Sequence, residues 1–249
     1  MLTIEQRMEI KKERDRLLEE ISNNNIKRTK KSMKGDNYPM PTYCLSDKKF
    51  NAKIYGVLNL ESNYNKLDTH RYVYQNKINI EEKAKELKIG KSTLYRNIKQ
   101  LSKLDYQVVT LENTPNGIAY ILRYCTVNED LEINNFVNID GSILRILVNV
   151  YSNEAIKVYC LLKRLANEVT YTQISKTYIL DQIGLCSKSN KNLQLLTDIT
   201  NELELSGFIS TIKEPITCCD KNTNNLISKT VKKYRICTIE EFKNKRKNL

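Results

Sequence analysis

Apolar residues in the first half of the chain recur at intervals of three or four positions, which is the spacing of one helix face. The pattern predicts a helix over 81–87, a tight turn over 88–90 and a longer helix over 91–103. Strands over 106–111 and 118–124 follow, joined by ENTPNG, whose Pro and Asn-Gly are typical of a hairpin turn. The predicted buried face consists of Ala84, Leu87, Ile89, Leu94, Ile98 and Leu101.

The second half of the chain repeats this order of elements more loosely. Helices are predicted over 176–184 and 189–206, and strands over 208–213 and 230–237, with a long loop over 214–229. Two helices joined by a tight turn and followed by a hairpin form the pattern of a winged helix-turn-helix, whose longer helix fits the DNA major groove. The predicted core stripe of the longer helix is Leu193, Leu196, Ile199 and Leu203.

Further elements complete the predicted fold. Helices are predicted over 48–62, 141–151 and 153–167, a short strand over 71–75, and an acidic boundary over 126–140. The predicted fold class is mainly α with small β-wings (α+β), with two winged helix-turn-helix domains in tandem, preceded by an N-terminal helix and a flexible basic linker. The predicted domains are the helix and linker 1–47, winged helix domain 48–126, acidic linker 127–140, and winged helix domain 141–249 with a basic C-terminal tail.

The beginning of the chain has a different pattern. Residues 3–21 carry a thin apolar stripe and a capping-box pair, Thr3 and Gln6, which predict a charged amphipathic helix. That helix either packs weakly on the body or mediates dimerisation or partner binding. Residues 22–41 have few apolar side chains and a basic run, and predict a flexible arm able to touch phosphates.

The net positive charge of the chain indicates a class of binding partner. The formal net charge is +12, which favours polyanions such as nucleic acid. A chain rich in Lys, Asn, Ile and Tyr also arises from AT-rich coding without selection for binding, so the distribution of charge matters more. Residues 50–125 hold 12 Lys/Arg against 7 Asp/Glu, residues 126–154 hold 1 against 5, and residues 155–249 hold 16 against 9. Two basic blocks are therefore separated by an acidic bridge.

Cysteine and histidine usage indicates neither a disulfide framework nor a metal site. The seven cysteines include no CxxC spacing, and His70 is the one histidine, so a zinc site would need an unusual ligand set. Reduced thiols in a cytoplasm are expected. No apolar run reaches the roughly 18 residues of a membrane span, and the first residues are too charged for a signal peptide.

The helix over 91–103 carries the first set of candidate DNA contacts. Its exposed face is basic and polar, and no acidic residue occurs from 91 to 104. Arg and Lys bind phosphate or guanine edges, and Ser and Thr suit phosphate and either base edge. An ordinary solvated face is the alternative, but such a face usually mixes both charges. The candidates are Lys91, Ser92, Thr93, Tyr95, Arg96 and Lys99, with Asn116 in the hairpin turn.

The second half carries a weaker set of candidates. Polar and basic residues cluster where the helix over 189–206 begins, and helix N-termini attract anions. Farther along, Asp198, Glu202 and Glu204 would repel phosphates. Dimerisation or partner docking is therefore the alternative role of this domain. The candidate contacts are Lys188, Ser189, Asn190 and Lys191 at the helix start, and Lys232 and Lys233 in the hairpin.

Catalytic chemistry is not indicated. The GKST sequence over 90–93 resembles the end of a phosphate-binding loop, but Lys85 replaces the first Gly of that motif and a helix precedes it. A single histidine excludes a paired-histidine metal centre, and no acidic cluster has metal spacing. We therefore expect a protein that is not an enzyme and needs no cofactor.

Three stretches together resemble a known family. They are AKELKIGKSTLYRNIKQLSKL, FVNIDGSILRILVNVYSNEAIKVYCLLKRL and the second predicted helix-turn-helix with its long wing, and they span about 50–237. This combination resembles the tandem winged-helix replication initiators of plasmids and phages in low-GC Gram-positive bacteria. The N-terminal signature of their best-known iteron-binding group is absent. The resemblance implies binding to repeated origin DNA and recruitment of host replication proteins.

The sequence therefore predicts a sequence-specific double-stranded DNA-binding protein that initiates plasmid or phage replication. One alternative is a transcriptional regulator with one DNA-reading and one dimerisation winged helix, and another is a non-catalytic primosome-type adaptor. The expected partners are double-stranded DNA, host replication proteins and a second copy of the chain in a homodimer. The expected location is the cytoplasm, with no membrane partner.

Overall fold

The structure, a computed structural model, describes most of the chain. The helix predicted over 3–21 and the basic run of the linker lie outside the described residues. So do parts of the acidic segment and of the second hairpin loop. The described ranges are 37–64, 70–104, 107–127, 133–219 and 226–247.

The chain divides into two compact units, Met1–Lys157 and Val158–Leu249. In the first unit, strand β1 pairs antiparallel with β8, and strand β6 pairs with β7. The other strands form a four-stranded antiparallel sheet in the order β2-β3-β5-β4. The strands are β1 (Asn37–Pro41), β2 (Asn63–Tyr64), β3 (His70–Tyr74), β4 (Val109–Thr114), β5 (Gly117–Arg123), β6 (Thr126–Val127), β7 (Ile133–Asn134) and β8 (Phe136–Asp140).

Four α-helices accompany these strands within the described part of the first unit. Three begin at side-chain caps: Asn51, Asn79 and Asp140 each accept a hydrogen bond from a backbone N–H in the first turn. The third helix begins at Gly90 without a side-chain cap. The helices are α1 (Ala52–Glu61), α2 (Ile80–Glu86), α3 (Lys91–Leu101) and α4 (Gly141–Val150).

The core of the first unit contains a close crossing of α1 and α4. Gly56 of α1 is buried, and a Cβ added there would lie 2.6 Å from the Val148 Cγ1 atom of α4. Only a residue without a side chain allows this approach. Helix α1 also contacts β3 and α3, so it links the helices to the four-stranded sheet.

The second unit combines helices with a long antiparallel hairpin. Strands β10 and β11 pair along their whole length, and β9 adds a two-residue partner to β11, so the sheet order is β10-β11-β9. Helix α5 contains the border between the units. The elements are α5 (Asn153–Leu165), β9 (Thr172–Gln173), α6 (Lys176–Gln182), α7 (Asn190–Leu205), β10 (Ile209–Cys219), β11 (Leu226–Ile236) and α8 (Ile239–Lys247).

Aromatic residues hold the second core together. The Phe208 ring stacks on Phe242 of α8 at 5.0 Å and meets Tyr159 of α5 edge-on at 5.7 Å. Gly207, with φ +77°, ends α7, since the Phe208 N–H donates back to the Leu203 carbonyl oxygen at 2.9 Å. This glycine lets the chain turn directly from α7 into β10.

The predicted fold class, two winged helix-turn-helix domains in tandem, is wrong. The described chain is α+β, with eight α-helices and several small antiparallel sheets. The first hairpin is not a separate wing, because β5 pairs with β3 over five residues. The second hairpin has strands of 11 residues, and residues 37–41 of the predicted linker form β1.

No helix in the described ranges is both long and apolar enough to cross a membrane.

Candidate nucleic-acid interface

Helix α3 presents opposite faces to the core and to solvent. Leu94, Ile98 and Leu101 are buried, and their three- and four-residue spacing places them on one face. This face packs against α1 and α2. The side chains of Ser92, Tyr95, Arg96 and Lys99 are exposed on the rest of the helix. The buried leucines and isoleucine therefore fix the orientation of the polar residues.

The turn before α3 depends on the backbone of Lys88 rather than of Gly90. Gly90 has φ −71°, an ordinary value, whereas Lys88 has φ +55° and supplies the left-handed residue of the turn. The Ile89 N–H donates to the Ala84 carbonyl oxygen at 3.0 Å, which closes the end of α2. Helix α2 rather than a strand precedes Gly90, so the GKST segment lacks the setting of a phosphate-binding loop.

The exposed face of α3 contains no carboxylate, but α2 brings one to its edge. Glu81 of α2 forms an ion pair with Lys91, and both side chains are more than half exposed. Exposed pairs contribute little to stability and exchange readily with other ions. Lys91 can therefore exchange Glu81 for a phosphate. Thr93 is half-buried, so it is the least accessible of the six predicted residues on α3.

Asn116 lies at the tip of the β4–β5 hairpin. Thr114 pairs with Gly117, so Pro115 and Asn116 form a two-residue turn, and Gly117 has φ +110°. The Asn116 N–H donates to Thr114 Oγ1 at 3.2 Å, and its side-chain amide lies 3.5 Å from the Tyr74 hydroxyl on β3. The amide is exposed at a fixed turn, where it can reach a groove or a phosphate.

The structure places four predicted residues of the second unit at the start of α7. Ser189 is the N-cap, and its Oγ accepts a hydrogen bond from the Asn192 N–H at 3.5 Å. Lys188, Asn190 and Lys191 are exposed around it. Unpaired N–H groups and two lysines at one helix end favour an anion such as phosphate.

The two predicted hairpin lysines are occupied within the protein. Lys232 Nζ lies 3.5 Å from Thr200 Oγ1 and 4.0 Å from Glu204 Oε2, and burial lowers the pKa of this lysine. Lys233 forms an ion pair with Glu214. Both side chains are mostly covered, so they are poorer candidates for phosphate contact than the lysines beside α7.

Glu204 has a structural role that the sequence pattern did not reveal. Its carboxylate accepts hydrogen bonds from the Thr211 N–H at 3.0 Å and from the Thr211 hydroxyl at 2.7 Å. It therefore joins α7 to β10 instead of facing a ligand. Gln194 donates to Asp198 on the outer side of α7, at 2.9 Å. The outer face of α7 is consequently more acidic than that of α3.

The sequence pattern did not single out two basic residues of the second unit. Lys176 donates to Thr197 Oγ1 at 2.8 Å, and Lys213 pairs with Lys232 across the hairpin. Their positive charges add to burial in lowering the pKa of Lys232. Only the strand register, which the sequence does not encode locally, brings Lys213 opposite Lys232.

Metal and thiol chemistry have little support among the described residues. No group of three His, Cys, Asp or Glu side chains in these ranges is placed to hold a metal ion. Burial raises the pKa of the Cys160 thiol to about 12, so this thiol stays protonated at neutral pH.

Neither a protein-family model nor a curated protein sequence matches this chain.

Proposed function

We propose that the chain is a sequence-specific double-stranded DNA-binding protein and that α3 reads the DNA. The observation that carries the proposal is the exposed side of α3, which holds Lys91, Ser92, Tyr95, Arg96 and Lys99 without a carboxylate of its own. The opposite side is anchored in the core. A helix of 11 residues is about 16 Å long, and the major groove is about 12 Å wide.

Different residues of this face suit different parts of the duplex. Lys91 and Ser92 lie at the helix N-terminus, where backbone N–H groups also favour phosphate. Arg96 lies one turn farther along and has the planar donor pattern that matches a guanine edge. Lys99 extends the cationic side towards the end of the helix. Asn116 adds a polar contact from the hairpin tip.

The second unit carries a further surface suited to DNA. Lys188, Asn190 and Lys191 surround the N-terminus of α7, where a phosphate would be stabilised by charge and by backbone N–H groups. We assign this surface to the DNA backbone rather than to base edges. The outer side of α7, with Asp198 and Glu202, is unsuited to lying deep in a groove.

The biological role that we propose is initiation of plasmid or phage replication in the cytoplasm. The chain would bind origin repeats and recruit host replication proteins without cutting DNA or hydrolysing a nucleotide. Two separate basic surfaces on one chain support this role.

A transcriptional regulator is the second candidate. The observation that favours it is the contrast between the two longer helices, because α3 is basic and α7 has an acidic outer side with exposed Leu195 and Leu205. In that case the first unit alone would read DNA, and the second unit would contact another protein.

Transformation with an origin-less plasmid tests the replication role. The plasmid carries a marker and the gene with its flanking DNA. We expect colonies from the intact gene and none from the Lys91→Ala/Arg96→Ala variant, while Lys49→Ala, an exposed lysine outside α3, serves as the control. Footprints confined to promoters, with no colonies from any plasmid, would favour the regulator.

A further inference from the structure

Three exposed apolar residues belong to α3 and to the β4–β5 hairpin. Tyr95 is on the helix, and Leu111 and Ile118 are on the β4–β5 hairpin. Their exposed fractions are 48%, 52% and 42%. We call these three residues the apolar strip.

The strand register shows how the hairpin part of the strip arises. Leu111 pairs with Tyr120, and Ile118 precedes Tyr120 by two residues, so the three side chains share one face of the hairpin. Closer to the base of the hairpin, Val109 and Leu122 continue this face and are fully buried. The strip is therefore an outward extension of the core-facing side of the sheet.

Helix α3 contributes the third member. Tyr95 is exposed on the same side of α3 as Lys91 and Lys99, one turn away from each. Its charge adds to burial in raising the pKa of Tyr120, the residue opposite Leu111 in the hairpin. Glu112 follows Leu111 directly and points to the opposite face of the hairpin.

The charges around the strip indicate what covers it. Arg96 and Lys99 flank Tyr95 in sequence on the exposed side of α3, and Lys91 lies one turn before Tyr95. An apolar surface bordered by cations matches the major groove of A·T-rich DNA, where thymine 5-methyl groups project between two phosphate backbones. A basic or neutral protein partner would not use these flanking cations.

We propose that the apolar strip binds thymine 5-methyl groups in the major groove, which makes the site selective for thymine-containing duplexes. This inference rests on the proposed DNA-binding function and specifies its substrate. Apolar contact with the methyl group distinguishes thymine from cytosine without a hydrogen bond. The tyrosine ring and the two aliphatic side chains provide such contacts.

Replacing thymine by uracil tests the inference because the two bases differ only by this methyl group. The probes are a labelled 24-base-pair alternating A·T duplex and its A·U counterpart, titrated at equal salt. Burial of one methyl-sized group corresponds to about a fourfold change in affinity, so two contacts predict roughly 16-fold weaker binding to the A·U duplex. A G·C duplex with 5-methylcytosine should bind more tightly than the unmethylated one.

Variants test whether the strip residues cause the preference for thymine. Tyr95→Ala/Leu111→Thr should lower the A·T-to-A·U affinity ratio from roughly 16-fold to about fourfold or less, because only Ile118 of the strip remains. It should retain the wild-type unfolding temperature, since both replaced side chains are already exposed. Leu226→Thr is the control because this leucine is exposed on the other hairpin. It should preserve the wild-type ratio of the two affinities.

The outcomes separate the inference from the function on which it rests. Failure to bind any duplex would overturn both. Equal wild-type affinity for the A·T and A·U duplexes would overturn the inference alone. Sedimentation supplies a further check: a wild-type dimer that the strip variant abolishes, together with equal affinities, would assign the strip to a second copy of the chain and contradict thymine recognition.

Discussion

Arg96 is the residue that most directly links the fold to base recognition. It is exposed midway along α3, two residues after the buried Leu94 and two before the buried Ile98, so its backbone position is fixed. Within the described part of the chain its guanidinium has no ion-pair partner, in contrast to Lys91 and Lys233. A ligand can therefore bind this arginine without breaking an ion pair within the described part of the protein.

Arg96→Ala should weaken binding to a selected site more than binding to random duplex DNA. A bidentate contact to a base is worth about 1–3 kcal/mol of discrimination, whereas a phosphate contact affects every sequence equally. Competition titrations with both duplexes measure the ratio of the affinities, and Lys49→Ala is the charge-matched control. Equal losses for the two duplexes would reassign Arg96 to the phosphate backbone.

Leu94, on the same helix, stabilises the fold instead of binding a ligand. It is buried against the neighbouring helices, and truncation of a buried Leu to Ala costs about 2–5 kcal/mol. Leu94→Ala should therefore lower the unfolding free energy of the first unit by that amount, as measured by urea denaturation. The exposed Ser92→Ala change is the control, and equal stability of the two variants would show that Leu94 does not hold the helix.

At the scale of elements, a bidentate ion pair joins α8 to the second hairpin. Arg235 on β11 donates to both carboxylate oxygens of Glu241, at 2.8 and 3.0 Å, and the Thr238 N–H donates to the same carboxylate. These hydrogen bonds lower the pKa of Glu241 to about 2. The folded protein therefore stabilises the ionised form of this carboxylate, whereas the unfolded chain does not.

This pair predicts an acid-dependent contribution to stability. The unfolded chain has an ordinary glutamate pKa of about 4.3, so between that value and about 2 it binds more protons than the folded protein. The contribution is complete above about pH 5 and is lost as the pH falls towards 2. Glu241→Gln should therefore flatten the pH dependence of the unfolding free energy in this range, and parallel curves for the two proteins would contradict the assignment.

The sequence predicted helices better than strands, for reasons that particular elements show. The helices predicted over 91–103 and 189–206 agree closely with α3 and α7, because their apolar spacing is regular and their ends carry turn residues. Strand β1 was missed because NYPMP contains two prolines and its partner β8 is about 100 residues away. Proline is tolerated at a sheet edge, which also explains why β10 continues through Pro215.

In the candidate site, too, patterns within one element could be predicted and contacts between elements could not. Residues on one helix, such as Arg96 and Lys99, could be grouped from their spacing alone. Contacts between elements could not, since Glu81 reaches Lys91 from another helix and Glu204 binds Thr211 across a turn. The fold class failed for the same reason: the pairing of β5 with β3 joins the first hairpin to a four-stranded sheet.

For the whole molecule, the proposed function predicts that cationic surfaces in each unit bind DNA. The net charge of +12 gives a long-range attraction, and the exposed lysines and arginine of α3 and of the α7 N-terminus give local contacts. Each phosphate neutralised releases counterions, so the number of contacts can be read from the salt dependence of affinity.

The most direct measurement is the affinity for duplex DNA as a function of salt, followed by fluorescence anisotropy of a labelled duplex. About six phosphate contacts predict a log–log slope near −5, at roughly −0.9 for each contact. The Lys91→Ala/Lys99→Ala variant, which removes two of these contacts, should have a slope nearer to about −3.6 and weaker binding at every salt concentration. A wild-type slope near zero, or no binding at about 50 mM salt where such contacts are strong, would contradict the account.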